Sequence, residues 1–243
     1  MLAVPGINND RLPLHGRRRL AAEASGGDSS PVIHGMIERI ARTFQLHGSV
    51  LDFGAGKGVL TARLLANRTF SDVTAADLMA RPNNLPATVR WISADLNEPL
   101  ELPGSLFHAI IAAEVIEHLE SPRALAREWH RLLRPGGTLI LSTPNNESWR
   151  SLLSLAFQGH FALFGPASYP AHITALVLKD IERALAEAGF GTTRFFFTNH
   201  GAIPKLGRLR WQAISAGLLK GRRYSDNVIA VASKPDETRD TAP

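Results

Sequence analysis

Apolar positions after Pro31 recur at the spacing of an amphipathic helix, which Gly48 ends. The residues that share one helical face are Ile33, Ile37, Ile40, Ala41 and Phe44. From there to Pro144, short apolar runs alternate with helical patterns. The predicted strands are 49–53, 72–76, 89–92, 109–113 and 138–142, and the predicted helices between them are 59–66 and 122–133. This alternation is typical of an α/β protein, in which helices cover both faces of a parallel sheet.

The pattern changes after Pro144. Residues 146–172 are predicted to be an insertion with a helical apolar stripe. A helix at 178–188, a strand at 192–198, a basic stretch at 202–224 and a last strand at 227–233 follow. Residues 1–30, rich in Gly, Asn, Ser and Arg, are predicted to be a flexible N-terminal arm, and 236–243 a tail. The predicted domain therefore spans 31–235, with insertions at 146–172 and 202–224.

Composition narrows the possible functions. The chain has 243 residues, a formal net charge of +5 and 44% hydrophobic residues, as folded globular proteins do. It has no cysteine, which excludes disulfide scaffolds, thiolate zinc sites, iron–sulfur centres and cysteine nucleophiles. No apolar run reaches the roughly 18 residues of a spanning helix, and the first residues lack the order of a signal peptide. We therefore predict a cytoplasmic protein, at most peripheral at the inner face of the membrane.

A glycine-rich turn indicates a ligand site. Residues 50–58, Val-Leu-Asp-Phe-Gly-Ala-Gly-Lys-Gly, place a strand, a tight turn and a helix start in succession, so that backbone N–H groups can approach a ligand closely. Asp77 and Asp95 follow the next two predicted strands. A carboxylate at Asp77 fits both ribose hydroxyls of an adenosine, and one at Asp95 fits the adenine amine, with Leu96 beside the ring. Taken singly, each aspartate also fits a helix cap or a solvated loop.

The sequence resembles the class I S-adenosylmethionine-dependent methyltransferases from about Val50 to Lys234. The resemblance is carried by the glycine turn, Asp77, Ala94-Asp95, and Leu-Leu-Arg-Pro-Gly-Gly-Thr-Leu at 132–139. It implies a Rossmann-like, doubly wound sheet of seven mostly parallel strands, with an antiparallel last strand and helical insertions. It also implies S-adenosylmethionine as the cofactor. The residues expected to bind this cofactor are Asp52, Gly54, Ala55, Gly56, Gly58, Asp77, Leu78, Asp95, Leu96 and Glu114.

A second cluster bears on the reaction. The segment Glu114-Val-Ile-Glu117-His118 follows the fourth predicted strand, and His172 ends the first insertion. A helical turn places the two glutamates and His118 on one side, and two carboxylates with two imidazoles suit a divalent ion. A simpler interpretation is that Glu114 contacts the cofactor or a backbone N–H and that His118 caps the turn.

The Glu-x-x-Glu-His segment is similar to the metal site of small-RNA 2′-O-methyltransferases, and ubiquinone-pathway O-methyltransferases have a similar Glu-His segment. This resemblance implies that a magnesium-type ion binds two neighbouring hydroxyl groups of the acceptor, one of which is methylated. The implied ligands are Glu114, Glu117, His118 and His172. Of these, Glu117, His118 and His172 are the expected catalytic residues.

The stretch from Ala188 to Ser225 contains no acidic residue and seven cationic ones. Interleaved leucines and Trp211 make it basic and amphipathic, so that together with 146–172 it suits an anionic membrane surface. A lid over the active site, with solvated arginines, explains the same pattern. Nucleic acid is less favoured as a partner, because no recognised RNA-binding module accompanies the segment.

These features predict methyl transfer to an oxygen of a small or lipid-linked metabolite, with a vicinal diol of a sugar, glycan or catechol as the acceptor. The alternatives are an RNA 2′-O-methyltransferase and a non-catalytic cofactor-binding scaffold. An NAD-dependent oxidoreductase is disfavoured, because Val59 stands where the dinucleotide fingerprint expects its third glycine and the chain lacks a Tyr-x-x-x-Lys pair.

Overall fold

The computed structural model describes residues 13–67, 69–206 and 209–236, and at its centre is a seven-stranded sheet. The strands are β1 (Ser49–Phe53), β2 (Asp72–Asp77), β3 (Arg90–Ser93), β4 (Phe107–Ala113), β5 (Leu133–Pro144), β6 (Arg194–Phe197) and β7 (Asn227–Ser233). Their order is β3-β2-β1-β4-β5-β7-β6. β7 runs antiparallel to β5 and β6, whereas the other paired strands are parallel. The predicted fold class is confirmed.

Helices cover both faces of this sheet. They are α1 (Leu14–Ser25), α2 (Pro31–Thr43), α3 (Val59–Ala66), α4 (Pro122–Leu132), α5 (Trp149–Gln158), α6 (Leu178–Glu187) and α7 (Trp211–Ile214). α2 and α3 share one hydrophobic cluster with the sheet, and α4 and α6 share the other. The sheet is therefore buried on both sides, which is why its strands read as nearly continuous apolar runs.

Alternation along β1 shows how the sequence divides the core. Val50 packs in the cluster of α2 and α3, whereas Leu51 and Phe53 pack in the cluster of α4 and α6, because successive side chains of a strand point to opposite faces. Phe53 meets the fully buried Trp129 of α4 edge to face, with ring centroids 5.8 Å apart. These contacts hold the carboxyl end of β1, where the glycine turn begins.

The N-terminal segment departs from the prediction. Residues 14–25, expected in a flexible arm, form α1, so the prediction is wrong for this segment. α1 has no buried residue, and long-range ion pairs of Arg18 attach it to the domain. A pattern of apolar positions cannot reveal such a helix. Residues 1–12 of the predicted arm, Arg208 of the basic stretch and residues 237–243 of the predicted tail lie outside the described residues.

The two predicted insertions are compact segments. Residues 146–172 contain α5 and a single 3₁₀ turn at Pro166–Ser168. In the described part of 202–224, an antiparallel bridge pairs Ala202 with Arg210, and α7 and a 3₁₀ turn at Arg222–Tyr224 follow. Among the described helices, none is both long and apolar enough to cross a bilayer.

Candidate functional site

A cavity of about 410 Å³ lies at the carboxyl ends of β1, β2 and β4, the edge at which open α/β sheets bind ligands. The predicted site residues that line it are Asp52, Gly54, Ala55, Gly56, Asp77, Leu78, Asp95, Leu96, Glu114, Glu117, His118 and His172. The remaining one, Gly58, does not line it. Gly58 precedes α3 at φ 72°, and a Cβ there would run into Leu85, so its role is conformational.

The glycine turn forms one wall of the cavity. Gly54 and Gly56 have φ of +82° and +51°, a region that L side chains rarely adopt. A Cβ at Gly56 would collide with the backbone of Gly27. The Lys57 N–H donates to the Gly27 oxygen at 2.7 Å. Gly56 therefore lets the segment after α1 lie directly against the turn, whereas a Cβ at Gly54 would run into Val115.

Two aspartates fix the shape of this turn. The Asp77 carboxylate accepts hydrogen bonds from the Gly56 N–H at 2.7 Å and the Met79 N–H at 2.8 Å. Behind it, the buried Asp52 accepts a hydrogen bond from the Thr61 hydroxyl at 2.5 Å. Burial raises the pKa of Asp52 to about 7, and the charge of Asp77 adds to the rise. Asp52 therefore keeps its proton to a much higher pH than an ordinary aspartate does.

Asp95 lies under α1. The Arg18 guanidinium spans three carboxylates, with N–O distances of 2.9 Å to Asp95, 2.9 Å to Glu98 and 2.7 Å to Glu120. Burial acts to raise the pKa of Asp95, but hydrogen bonds from Asn97 and Arg18 outweigh it and hold that pKa below its usual value. Asp95 therefore faces the cavity as an anion that α1 already partly neutralises.

Glu114 is held apart from the other predicted metal ligands. Its backbone is left-handed, with φ of 55°, and its N–H donates to the Ser142 oxygen at 3.1 Å. Its carboxylate accepts hydrogen bonds from the Asn227 amide at 2.8 Å and from the Ser30 N–H. Burial raises the pKa of Glu114 to about 7. Glu114 thus ties the segment before α2 to β4 and β7 at the cavity wall.

The other three predicted ligands converge. One potential ligand atom from each of Glu117, His118 and His172 lies within 4.8 Å of the other two. The imidazole centroids are 4.8 Å apart. Glu117 is completely buried, and the Thr143 hydroxyl donates to its Oε2 at 3.1 Å. Its Oε1 has no hydrogen-bond partner among the residues that the structure describes, which is costly for a buried oxygen.

Backbone contacts fix the orientation of both histidines. His118 Nδ1 lies 2.8 Å from the Ala171 oxygen, and His172 Nδ1 lies 2.7 Å from the Leu163 oxygen. A carbonyl oxygen can only accept, so each Nδ1 carries the proton and each Nε2 keeps its lone pair. This arrangement is common for metal-binding imidazoles.

The electrostatics of the cluster suit a cation. Burial lowers the pKa of His118 to about 4, and the nearby His172 lowers it further. Burial also lowers the pKa of His172, so both rings are neutral ligands at pH 7. Burial raises the pKa of Glu117 well above its usual value, and the neighbouring Glu114 adds to the rise. A bound cation would have to displace the proton of Glu117, after which one carboxylate oxygen and two imidazole nitrogens fit a divalent ion.

Several residues at the cavity escaped the sequence analysis. Arg17, Arg18 and Ala21 of α1 line it, as do Asp28 and Ser29. No strand end marks these positions, although Gly26 and Gly27, both at positive φ, directly precede Asp28. Arg17 and Arg18 belong to a run of three arginines, and from composition alone such a run is expected to be exposed to solvent.

The family model for a methyltransferase domain matches residues 29–194 of the chain. A malonyl-[acyl-carrier protein] O-methyltransferase of Paenibacillus sp. strain JDR-2 is 28% identical over 167 residues, covering 65% of this chain and 60% of that protein. A ubiquinone biosynthesis O-methyltransferase of Xanthomonas campestris pv. campestris is 36% identical over 119 residues, covering 45% of this chain and 48% of that protein. The chain thus matches only about half of these curated relatives' length.

A solved structure shares the fold. The 1,6-didemethyltoxoflavin-N1-methyltransferase of Burkholderia thailandensis, with bound 1,6-didemethyltoxoflavin and S-adenosylhomocysteine, matches with a TM-score of 0.59 and 17% identity. The match covers 97% of this chain and 94% of that one. At this identity the likeness concerns the fold alone.

Asp52→Asn tests the buried carboxyl. Because the pKa of Asp52 is about 7 in the folded chain, against 3.8 for an unperturbed aspartate, the unfolded state loses its proton first, and wild-type stability falls as pH rises from about 4 to 7. The asparagine does not titrate, so this loss is absent from Asp52→Asn. The free energy of unfolding of the variant minus that of wild type should therefore be about 2–3 kcal/mol larger at pH 8 than at pH 5. Urea unfolding without cofactor measures this difference. Parallel pH profiles of the two proteins would contradict the assignment.

Arg18→Gln tests the attachment of α1. The variant removes three ion pairs from a helix that has no buried residue. The backbone amides of α1 should exchange hydrogen at least about tenfold faster in this variant than in wild type, since charged hydrogen bonds of this kind stabilise a folded element by about 1.5–3 kcal/mol. Hydrogen exchange over 14–25 gives the readout. Arg19→Gln is the matched control, because it breaks only an exposed pair with Glu23 on the same helix. Equal exchange in both variants would show that Arg18 does not hold α1.

Proposed function

The chain belongs to the family of methyltransferase domains, and we propose that it transfers a methyl group from S-adenosylmethionine to one oxygen of a vicinal diol, which a divalent ion holds in place. The resemblance to class I S-adenosylmethionine-dependent methyltransferases is confirmed by the family match over residues 29–194. The observation that carries the proposal is the buried Glu117 oxygen without a partner among the described residues, beside two histidines whose Nε2 lone pairs are available. These groups share one cavity with the glycine turn and with Asp77.

The residues around the glycine turn fit the cofactor. S-adenosylmethionine supplies a methyl group already activated on a sulfonium. Gly54 and Gly56, both at positive φ, let the backbone turn tightly beside its methionine part. The Asp77 oxygens are oriented by two backbone N–H groups and keep further lone pairs for the ribose hydroxyls. Asp95 takes the adenine side of the cavity, beneath Arg18.

The chain contributes mainly alignment and exclusion of water. Alignment of two reactants lowers a barrier by about 7–11 kcal/mol. α1 and the segment that follows it line the cofactor side of the cavity through Arg17, Ala21 and Asp28. A wall at this position keeps water from the reacting centre and strengthens the electrostatic interactions within it.

The ligand set fits a divalent ion on the acceptor side. Glu117, His118 and His172 would hold it, whereas Glu114 is assigned to the cofactor side because its carboxylate is already bound by Asn227 and Ser30. When bound, a divalent ion supplies positive charge that favours ionisation of a coordinated hydroxyl. Thr143 and the two backbone carbonyls hold the three ligands in orientation.

The cavity rim favours a small or lipid-linked acceptor, such as a catechol-type quinone precursor or a glycan. Tyr169, Pro170 and Ile173 line the cavity next to His172, and Tyr169 and Ile173 are exposed. An apolar rim of this kind suits a ring or a prenyl chain next to the diol. A lipid-linked acceptor also requires the enzyme to reach a membrane surface.

A labelled-methyl assay tests the proposed reaction. The chain is incubated with methyl-labelled S-adenosylmethionine and a panel comprising catechols, sugar diols and RNA ending in a free 2′,3′-diol. We expect transfer to a catechol or sugar diol, its loss after exhaustive chelation, and its recovery with Mg²⁺ or Mn²⁺. Methyl transfer at an undiminished rate after chelation would show that the reaction does not require the ion. Transfer only to RNA would assign the alternative acceptor.

His172→Ala tests the ion site independently of turnover. Losing one of three protein ligands should weaken Mn²⁺ binding by about a hundredfold or more, while S-adenosylhomocysteine binding changes little. Calorimetry measures both affinities. His160→Ala is the matched control, since His160 lies in the same insertion but outside the cluster. Equal Mn²⁺ affinity in both variants would refute the ligand role of His172.

Asp77→Asn tests the cofactor side. The amide cannot accept at both former oxygens, so cofactor affinity should fall by about 1–3 kcal/mol, the cost of unpaired polar partners. Titration with S-adenosylhomocysteine gives the value. Asp72→Asn, an exposed position on the same strand, controls for the lost charge. An Asp77→Asn affinity equal to wild type would show that Asp77 does not bind the ribose.

A further inference from the structure

Exposed apolar side chains concentrate in two segments, α5 and residues 203–219. Of the thirteen large hydrophobic side chains exposed among the described residues, eight belong to these segments. They are Trp149, Leu153, Leu155, Phe157, Leu206, Leu209, Ile214 and Leu218. Phe157 and Leu218 are 79% and 84% exposed. Such a concentration on a folded surface indicates an interaction site.

The two segments adjoin. A groove of about 400 Å³ is lined on one side by Leu153, Phe157 and Ala162 and on the other by Pro204 and Lys205. A salt bridge of 3.1 Å between Arg150 of α5 and Asp226 fastens α5 to the start of β7. The two segments therefore meet along this groove, and we call their exposed residues together the apolar–basic face.

This face is positively charged and lacks acidic residues of its own. No aspartate or glutamate occurs between Ala188 and Ser225. Lys205 and Lys220 are exposed and form no hydrogen bond or ion pair with the described residues. The nearby acids are already neutralised, since Glu147 pairs with Arg222 and Asp226 pairs with Arg150. The charge of the face therefore complements an anionic partner.

The face does not close over the active site. None of the described residues of 202–224 lines the cavity, and neither does Phe157, so these side chains do not form the lid that the sequence also allowed. The face is nevertheless joined to the acceptor side, because Ala162 lines its groove while the adjacent Leu163 oxygen binds His172. A partner seated on this face lies beside the elements that hold the acceptor.

We propose that the apolar–basic face docks on an anionic lipid bilayer, with Phe157 and Leu218 inserted among the lipids and Lys205 and Lys220 at the headgroups. Exposed apolar side chains flanked by unpaired lysines have the composition of interfacial membrane anchors. RNA would use the lysines but would not require several leucines in solvent. The inference rests on the proposed function in one respect, since docking would present a lipid-linked acceptor to the cavity.

Vesicle flotation of the full chain tests the docking. The vesicles contain phosphatidylcholine alone or phosphatidylcholine with phosphatidylglycerol, at low and at physiological ionic strength. We expect the chain to float with the anionic vesicles, less so at higher salt, and to stay in solution with the neutral ones. Absence of flotation at both ionic strengths would overturn the proposal.

Two double variants separate the apolar and basic contributions. Phe157→Ser with Leu218→Ser should weaken anionic-vesicle binding by about tenfold or more, and Lys205→Gln with Lys220→Gln should weaken it by several-fold and reduce its salt dependence. Val32→Ser and Lys179→Gln, exposed positions outside the face, should bind vesicles like wild type. S-adenosylhomocysteine titration verifies that each variant is folded. Wild-type flotation of both double variants would overturn the assignment to this face.

Competition separates the other possible occupants. Binding to RNA in the presence of anionic vesicles, with no flotation, would replace the lipid surface by nucleic acid and overturn the proposal. The flotation assay requires neither the divalent ion nor methyl transfer. If the chain binds S-adenosylhomocysteine but does not float with the vesicles, the membrane-docking proposal alone is wrong. If the chain floats but transfers no methyl group, the proposed function is wrong.

Discussion

Buried carboxylates at the carboxyl edge of the sheet impose the constraint on which the site depends. A carboxylate removed from water needs a proton, hydrogen-bond donors or a cation. Asp52 meets this need with a raised pKa and the Thr61 hydroxyl. Asp77 meets it with two backbone N–H groups of the surrounding loops. The hydrogen bonds of Asp77 also give the cavity wall its shape, because one of the two donors, the Gly56 N–H, belongs to the glycine turn itself.

The same constraint applies to the other carboxylates of the cavity. Asp95 and Glu114 have side-chain or backbone donors, from Arg18 and Asn97 in one case and from Asn227 and Ser30 in the other. Glu117 differs, because one of its buried oxygens finds no partner among the described residues and its raised pKa keeps a proton on the carboxyl group until a cation replaces it. Each of the two histidines has a potential ligand atom within 4.8 Å of a carboxylate oxygen of Glu117, and their Nδ1 protons are donated to backbone carbonyls. A cation completes this arrangement, and in our proposal it holds the diol.

The fold and the gathering of the glycine turn and the aspartates around one cavity could be predicted from the sequence because their signals are local. Apolar runs located the sheet, and β1 and β7 begin and end where the pattern placed them. The glycine turn and the aspartates after successive strands were recognisable because parallel strands bring their carboxyl ends to one edge. α1 was missed because three distant acids hold it through Arg18, and Glu114 was grouped with the metal ligands because spacing does not reveal its left-handed backbone. Whether residues 202–224 cover the cavity likewise depends on tertiary packing.

A crystal structure of the chain with S-adenosylhomocysteine and Mn²⁺, recorded at the manganese absorption edge, tests the central claim most directly. We expect an anomalous peak within bonding distance of Glu117, His118 and His172, and ribose hydroxyls on the Asp77 carboxylate. Ordered S-adenosylhomocysteine without an anomalous peak at these residues would contradict the metal-assisted reaction. A ribose bound away from Asp77 would contradict the assignment of the cofactor side.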